Sequence, residues 1–150
     1  MPIQFDEYAK RGKSFVDEIA KELGTQDTDR AGRMLRCVLR ALRNRMTVEE
    51  SFQLIGQLPM SIKGIYVDGW KVRMAPGKFN HIGEFRSEVM KEDDYAALKD
   101  FYYDGAVDDA IKAVFRVLSR HVSAGEMENV ISVLPGELRI IIEDAPPSRR

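Results

Sequence analysis

The stretch Met34–Pro59, MLRCVLRALRNRMTVEESFQLIGQLP, decides the fold of this chain, because a diverged copy, AIKAVFRVLSRHVSAGEMENVISVLP, follows at Ala110–Pro135. Shifting the chain against itself by 76 positions aligns residues 30–68 with 106–144 without a gap. Nine of the 39 aligned pairs are identical, including Leu42/Leu118. Self-similarity at a fixed spacing is typical of a duplicated structural unit. We therefore expect both copies to adopt the same helical hairpin.

Helix boundaries can be assigned from the capping residues and prolines of each copy. Apolar residues from Ala31 to Met46 recur at spacings of three and four, which confines them to one face of a long helix. Thr47-Val-Glu-Glu50 and Ser123-Ala-Gly-Glu126 match the capping box, so a new helix is predicted after each hydroxyl residue. A proline then ends that helix. Short fourth helices are predicted at Met60–Val67 and Gly136–Glu143.

The full prediction is an all-α domain of two homologous helical-hairpin repeats, about four helices each, packed around a pseudo-twofold axis. The first helix is placed at Ser14–Leu23, between a Ser14 cap and a Gly24 stop. An insertion in the second copy, Asp93–Asp104, is expected to add a short helix packed by its aromatic residues. The predicted organisation is repeat 1 at 14–68, a non-helical linker at 69–80, repeat 2 at 81–144 and a disordered tail at 145–150.

The composition limits which kinds of partner and which cellular compartment are expected. The 150 residues are 44% hydrophobic and 31% charged, with a net charge of −1, which gives no overall attraction to nucleic acid or anionic membrane. The single cysteine, Cys37, excludes an internal disulfide and suits a reducing compartment. Because no secretory signal and no apolar run long enough to span a bilayer is found, a cytoplasmic location is expected.

The order of these motifs resembles a known family. An Arg-rich long helix, the [ST]xxE cap, the Gln-Leu-Pro turn and Lys63-Gly-Ile-Tyr-Val-Asp-Gly-Trp70 come first, and a second round ends in Leu134-Pro-Gly-Glu-Leu138. Together they resemble the bacterial domain-of-unknown-function family catalogued as number 2267, over nearly the whole chain. The resemblance implies a duplicated all-α fold and a cytoplasmic location. It implies no activity, cofactor or catalytic residue.

The strongest chemical pattern is basic. Five arginines fall on one side of the long helix, within about 140° and opposite its apolar face. These are Arg30, Arg33, Arg36, Arg40 and Arg43. One interpretation is a stripe that binds nucleic-acid phosphates or an acidic partner, because the guanidinium fork matches phosphate and carboxylate oxygens. The other is a solvated face whose arginines pair with acids elsewhere in the chain, namely Asp17, Glu18, Glu22, Glu49 or the acidic insertion Glu92-Asp93-Asp94. The second copy keeps only Lys112 and Arg116 at equivalent positions, which disfavours a symmetric pair of binding helices.

A second candidate site lies between the repeats. Tyr66, Trp70, Arg73 and His81 combine aromatic faces, a cation and an imidazole near the expected seam, where ligands often bind. The alternative is that Tyr66 and Trp70 only hold the halves together. Cys37 is interpreted as an inert core thiol. No residue pattern indicates a metal site, a cofactor or a catalytic group.

Three function classes remain. The compact, duplicated chain is expected to be a non-catalytic protein-interaction or oligomerisation module, with a protein partner or a second copy of itself. The first alternative is an anion-binding or nucleic-acid-binding protein that uses the arginine stripe. The second alternative is an enzyme or small-ligand binder at the repeat seam.

Overall fold

The computed structural model describes residues 2–72, 81–93 and 97–143, and the regular structure of these residues is α-helical with no strand. The helices are α1 (Phe5–Leu23), α2 (Thr28–Arg43), α3 (Val48–Ile55), α4 (Met60–Val67), α5 (Ile82–Glu92), α6 (Ala97–Asp100), α7 (Ala106–His121), α8 (Ala124–Ser132) and α9 (Gly136–Glu143). The expected all-α class is confirmed for this part of the chain. Arg73, the predicted linker from residue 73 onward, Tyr95 and the predicted tail lie outside the described residues.

Helix α1 begins at Phe5, so the predicted start at Ser14 is wrong. Asp6 and Glu7 in its first turn interact favourably with the helix dipole. Gly12 does not interrupt the helix but lies buried in its interior, where an added Cβ would come within 2.8 Å of the Ser61 Cβ. The predicted end is confirmed, because Gly24 adopts the left-handed conformation, with φ of 70°, that commonly ends a helix.

Helices α2 and α7, with 16 residues each, supply most of the core. Their buried residues recur at helical spacing, as the sequence predicts, and Leu42 and Leu118 are both completely buried. The two helices contact each other, and each also contacts α1 and α5. The core therefore lies between four helices, and α3 packs against α8 beside it.

The predicted helix starts at Thr47 and Ser123 are confirmed, but their capping differs. The Thr47 hydroxyl accepts from the Glu50 amide at 3.1 Å, and the Glu50 carboxylate accepts from the Thr47 amide at 2.8 Å. The Ser123 hydroxyl likewise accepts from the Glu126 amide at 3.2 Å. The Ser123 amide, however, donates to the Gln57 side chain at 2.6 Å. The cap of α8 thus includes a residue from the turn that follows α3.

The short helices α4 and α9 have the bounds that the sequence predicts. Isolated helices of eight residues are marginal in water, so their stability comes from docking. Ile62 and Leu138 provide it, since both are completely buried in the core. Helix α4 packs against α1 and α2, whereas α9 packs against α5 and α7.

The insertion of the second copy forms the short helix α6 as predicted, but the expected aromatic packing is mostly wrong. Phe101 packs against the core. Tyr102 is 74% exposed and Tyr103 is 40% exposed, and the two rings contact each other with their centroids 5.0 Å apart. Asp100, not an aromatic residue, is the completely buried side chain here.

Among the described residues, no helix combines the length and the apolar character that crossing a membrane requires.

Candidate functional site

The candidate site is an open groove of about 810 Å³ bounded by α1, α2 and α4. Most of its exposed surface is apolar, but five of its thirteen lining residues are charged. Helix α1 contributes Ala9, Gly12, Lys13, Val16 and Asp17; α2 contributes Thr28, Asp29, Gly32, Arg33 and Arg36; and α4 contributes Ser61, Ile62 and Ile65.

Small residues set the spacing of the three helices. The Ser61 hydroxyl donates to the Tyr8 carbonyl at 2.8 Å, which ties α4 to α1 beside Gly12. Gly32 faces Val16 across the groove, since an added Cβ on Gly32 would lie 4.0 Å from a Val16 methyl group. A larger side chain at either glycine would therefore displace a neighbour or fill the groove.

Two of the predicted stripe arginines bind the insertion. Arg33 donates to both carboxylate oxygens of Asp100, from Nε at 2.7 Å and from Nη2 at 2.8 Å. Arg30 donates to the Asp100 backbone carbonyl at 2.8 Å. The hydrogen bonds that Arg33 donates to Asp100 raise the pKa of Arg33 above its ordinary value. The Arg33–Asp100 pair anchors α6 to α2, although the two residues are 67 positions apart in the sequence.

Two further arginines bind the end of α4. Arg43 is 6% exposed, and its Nη1 donates to the carbonyls of Tyr66 at 2.9 Å and Asp68 at 3.1 Å. Burial lowers the pKa of Arg43. Arg40 donates to the Ile65 carbonyl at 3.3 Å and to the Asp68 carboxylate at 3.4 Å. These contacts satisfy carbonyls in the last turn of α4 and just beyond it, which the helix cannot bond internally.

Arg36 differs from the other four arginines. It is half-buried and lines the groove, and it forms no hydrogen bond or ion pair with the described residues. Lys13 lines the same groove from α1 and is exposed. Four of the five stripe arginines therefore bind groups within the protein, and Arg36 has no such contact with the described residues.

Two acids, Asp93 and Asp100, are buried in the protein. Asp93 is 3% exposed, and neither carboxyl oxygen has a hydrogen-bond partner among the described residues. Burial raises the pKa of Asp93 to about 7, and the neighbouring Asp100 adds to the increase. Burial alone would raise the pKa of Asp100 as well, but the hydrogen bonds that Arg33 donates to it outweigh this effect and lower that pKa.

The cysteine lies beside this acid pair. Cys37 is completely buried, and burial raises its thiol pKa well above the ordinary value, with Asp93 adding to the increase. A thiol that stays protonated is a poor nucleophile. This position agrees with an inert core cysteine.

The second predicted site is not assembled by contacts among the described residues. Tyr66 is completely buried, its hydroxyl lies 2.7 Å from the Ser51 hydroxyl, and burial raises its pKa to about 12. Trp70 meets the Tyr66 ring edge-on at 6.0 Å. His81 is exposed and lies 3.5 Å from Glu137, and no described contact joins it to either aromatic ring. Tyr66 and Trp70 therefore pack at the end of α4, which agrees with the structural alternative.

The sequence interpretation missed the groove because its residues come from three separate helices. Lys13, Val16 and Ile65 have no distinctive pattern when each is considered within its own helix. One signal was available, since Gly32 is a glycine inside a predicted helical segment. Glycine in a helix interior costs stability relative to alanine and often marks a close approach or an open surface.

Within the described residues, no three or more histidine, cysteine, aspartate or glutamate side chains are arranged to hold a metal ion. A comparison with curated proteins found no match for this chain. The groove residues other than Ala9 lie within residues 12–141. The same range matches the model of the family described as "Uncharacterized conserved protein (DUF2267)", and the chain belongs to this family.

Proposed function

We propose that this protein is a protein-interaction module whose groove between α1, α2 and α4 receives an amphipathic segment of a partner protein. The observation that carries the proposal is Arg36, a half-buried cation without a hydrogen bond or ion pair among the described residues, placed in a mostly apolar groove. An acidic side chain on the partner would pair with Arg36 while apolar side chains cover the half-buried Val16 and Ile65. Helix-in-groove recognition combines these two kinds of contact.

The shape of the site favours a protein segment over a small molecule. The groove is open to solvent rather than enclosed. Small-ligand sites usually bury most of the ligand surface, whereas a partner helix leaves its outer face in water. Arginine is also enriched among the residues that dominate protein–protein binding energy.

Nucleic-acid binding through the arginine stripe has less support. Arg30 and Arg33 bind Asp100, and Arg40 and Arg43 bind groups at the end of α4. A phosphate backbone would have to displace these contacts, which include a bidentate pair with a completely buried carboxylate. The remaining cations, Arg36 and Lys13, are accompanied in the groove by Asp17 and Asp29.

We further propose that the chain is a duplicated unit with pseudo-twofold symmetry, acting in the cytoplasm. Reciprocal packing supports the symmetry: α1 contacts α7 while α5 contacts α2, and α3 contacts α8. The groove itself has no equal counterpart by sequence, because Gly32 and Arg33 are replaced by Asp108 and Asp109 at the 76-residue offset. The partner is accordingly expected to bind the first copy only. A buried free thiol is compatible with a reducing compartment.

The proposal is tested by selecting binders from a phage-displayed library of random peptides about 15 residues long, near the length at which helices become stable. Wild-type protein should enrich peptides with helically spaced apolar residues and at least one acid. Selection against Arg36→Glu should remove them, whereas Lys112→Glu, the equivalent position in the second copy, should not. No enrichment, or enrichment unaffected by Arg36→Glu, would contradict the proposal, as would tighter binding to generic RNA or DNA that depends on Arg36.

A further inference from the structure

Each of the two long walls of the groove presents one cation and one acid. Helix α1 contributes Lys13 and Asp17, which are four residues apart. Helix α2 contributes Asp29 and Arg36, which are seven residues apart. Both spacings keep the two side chains on one face of their helix. The fifth charged residue of the lining, Arg33, is already held by its bidentate pair with a buried carboxylate.

The register between the two walls is set by one contact. Helices α1 and α2 pack against each other and are joined only by residues 24–27, so they run in opposite directions. Val16 and Gly32 lie at the same level of this hairpin, since a Cβ on Gly32 would lie 4.0 Å from a Val16 methyl group. Residues that precede Val16 on α1 therefore lie beside residues that follow Gly32 on α2, and the reverse holds at the other end.

This register brings like charges to the same end of the groove. Relative to the level of the contact, Lys13 lies three residues back along α1 and Arg36 four residues forward along α2, so both cations are at one end. Asp17 lies one residue forward along α1 and Asp29 three residues back along α2, so both acids are at the other end. At 1.5 Å per residue, the cationic end and the acidic end are about 8 Å apart along the groove.

The four side chains differ little in their surroundings. Lys13, Asp17 and Asp29 are exposed, and Arg36 is half-buried. Within the part of the chain that the structure describes, no hydrogen bond or ion pair occupies any of the four side chains. A segment that lies along the groove therefore meets two cations at one end and two acids at the other.

We propose that the partner segment is dipolar: about two helical turns from the acid that meets Arg36, it carries a lysine or arginine that meets Asp17 and Asp29. This inference rests on the proposed function, because it specifies the partner of the same groove. A separation of seven residues, which spans about 10 Å of helix, matches the spacing of Asp29 and Arg36. Complementary charges fix the register of a bound segment and reject partners of the wrong charge. A uniformly acidic segment is disfavoured, because its second acid meets Asp17 and Asp29.

The test repeats the peptide selection on wild type and on a protein that carries Asp17→Lys together with Asp29→Lys. Peptides enriched by wild type should have lysine or arginine seven positions from the acid about threefold more often than the starting library. The double variant should instead enrich a second acid at that position. The control carries Glu49→Lys with Glu128→Lys, which changes two exposed acids of α3 and α8 and alters the net charge equally. It should enrich the same peptides as wild type.

Affinities then give the size of the effect. One enriched peptide is made with lysine, glutamine or glutamate at the second charged position, and its binding is measured by fluorescence anisotropy. On wild type, glutamine should bind about threefold and glutamate about tenfold more weakly than lysine. On the double variant, glutamate should bind most tightly. The wild-type series decides the question even if the double variant does not fold.

The outcomes separate this inference from the proposed function. Equal wild-type affinities for the three peptides overturn the dipolar partner but leave an Arg36-dependent groove in place. The same holds if a folded double variant keeps the wild-type order. A selection that enriches nothing, or peptides whose binding is unaffected by Arg36→Glu, overturns the proposed function and the dipolar partner together.

Discussion

Removing the charge of Asp100 should destabilise the protein far more than removing the charge of an equally well-formed but more exposed pair. Arg33–Asp100 and Arg86–Asp108 have the same bidentate geometry, with distances of 2.7 and 2.8 Å in both. They differ in burial: the side-chain exposures are 24% and 0% for the first pair and 39% and 23% for the second. The comparison therefore isolates the effect of burial at constant hydrogen-bond geometry.

The magnitude follows from what each substitution leaves behind. Breaking a buried ion pair from one side typically costs about 3–5 kcal/mol, because the remaining charge is left uncompensated. Arg33 is about a quarter exposed and can be partly rehydrated, so for Asp100→Asn we expect the lower end, about 3 kcal/mol. At about 2–4 °C for each kcal/mol, this corresponds to a Tm lower by roughly 6–12 °C. Asp108→Asn should cost about 1 kcal/mol or less, as pairs closer to the surface do.

The assay is guanidinium unfolding at about pH 6, below the pKa of Asp93 of about 7, so that Asp93 stays protonated in the folded protein. A double-mutant cycle with Arg33→Met then gives the coupling energy of the pair, which we expect to be about 2–3 kcal/mol. Because the pKa of Asp100 is lowered in the folded state, this contribution is present above about pH 4 and is lost as the pH falls through the folded pKa. Equal costs for Asp100→Asn and Asp108→Asn would refute the reasoning.

Two further predictions concern the helix starts and the core. Thr47→Ala and Ser123→Ala should each lower the free energy of unfolding by about 0.5–2 kcal/mol. Each substitution removes the hydroxyl oxygen that accepts from an otherwise unpaired helix amide. Thermal melts that match wild type would contradict a stabilising role for these N-caps. Leu42→Ala and Leu118→Ala should each lower the free energy of unfolding by about 2–5 kcal/mol in chemical denaturation, because both side chains are completely buried and their truncation leaves a cavity. A cost below about 1 kcal/mol would mean that the core around that leucine is less tightly packed than described.

Much of the fold could be predicted from local signals. The bounds of α4 and α9 follow from the prolines that precede them, and the starts of α3 and α8 follow from hydroxyl caps. The one large error, the start of α1, came from placing the cap at Ser14, after Gly12. Its role depends on Ser61, almost 50 residues later, which approaches so closely that a Cβ would not fit. A long-range contact of this kind leaves no local trace except the glycine itself.

The candidate site could be predicted only in part, for the same reason. Helical periodicity places the five arginines on one side of α2, but it does not tell which of them find partners within the protein. The partner of Arg33 is Asp100, whereas the acids of the insertion that the sequence suggested as partners are Glu92, Asp93 and Asp94. Arg36 is distinguished only after the other four arginines have been paired. The groove depends on the relative positions of three helices, and these cannot be predicted from composition or residue spacing.

The most direct test of the proposed groove is the affinity of an enriched acidic peptide for wild type, Arg36→Glu and Lys112→Glu, measured by fluorescence anisotropy on proteins shown by circular dichroism to be folded. If Arg36 anchors the partner, its substitution should cost about 2 kcal/mol or more, which is roughly a 30-fold loss of affinity. Lys112→Glu, at the matching position of the second copy, should bind within about twofold of wild type, a difference of less than about 0.5 kcal/mol. Equal affinities for wild type and Arg36→Glu, or equal losses in the two variants, would contradict a partner site between α1, α2 and α4.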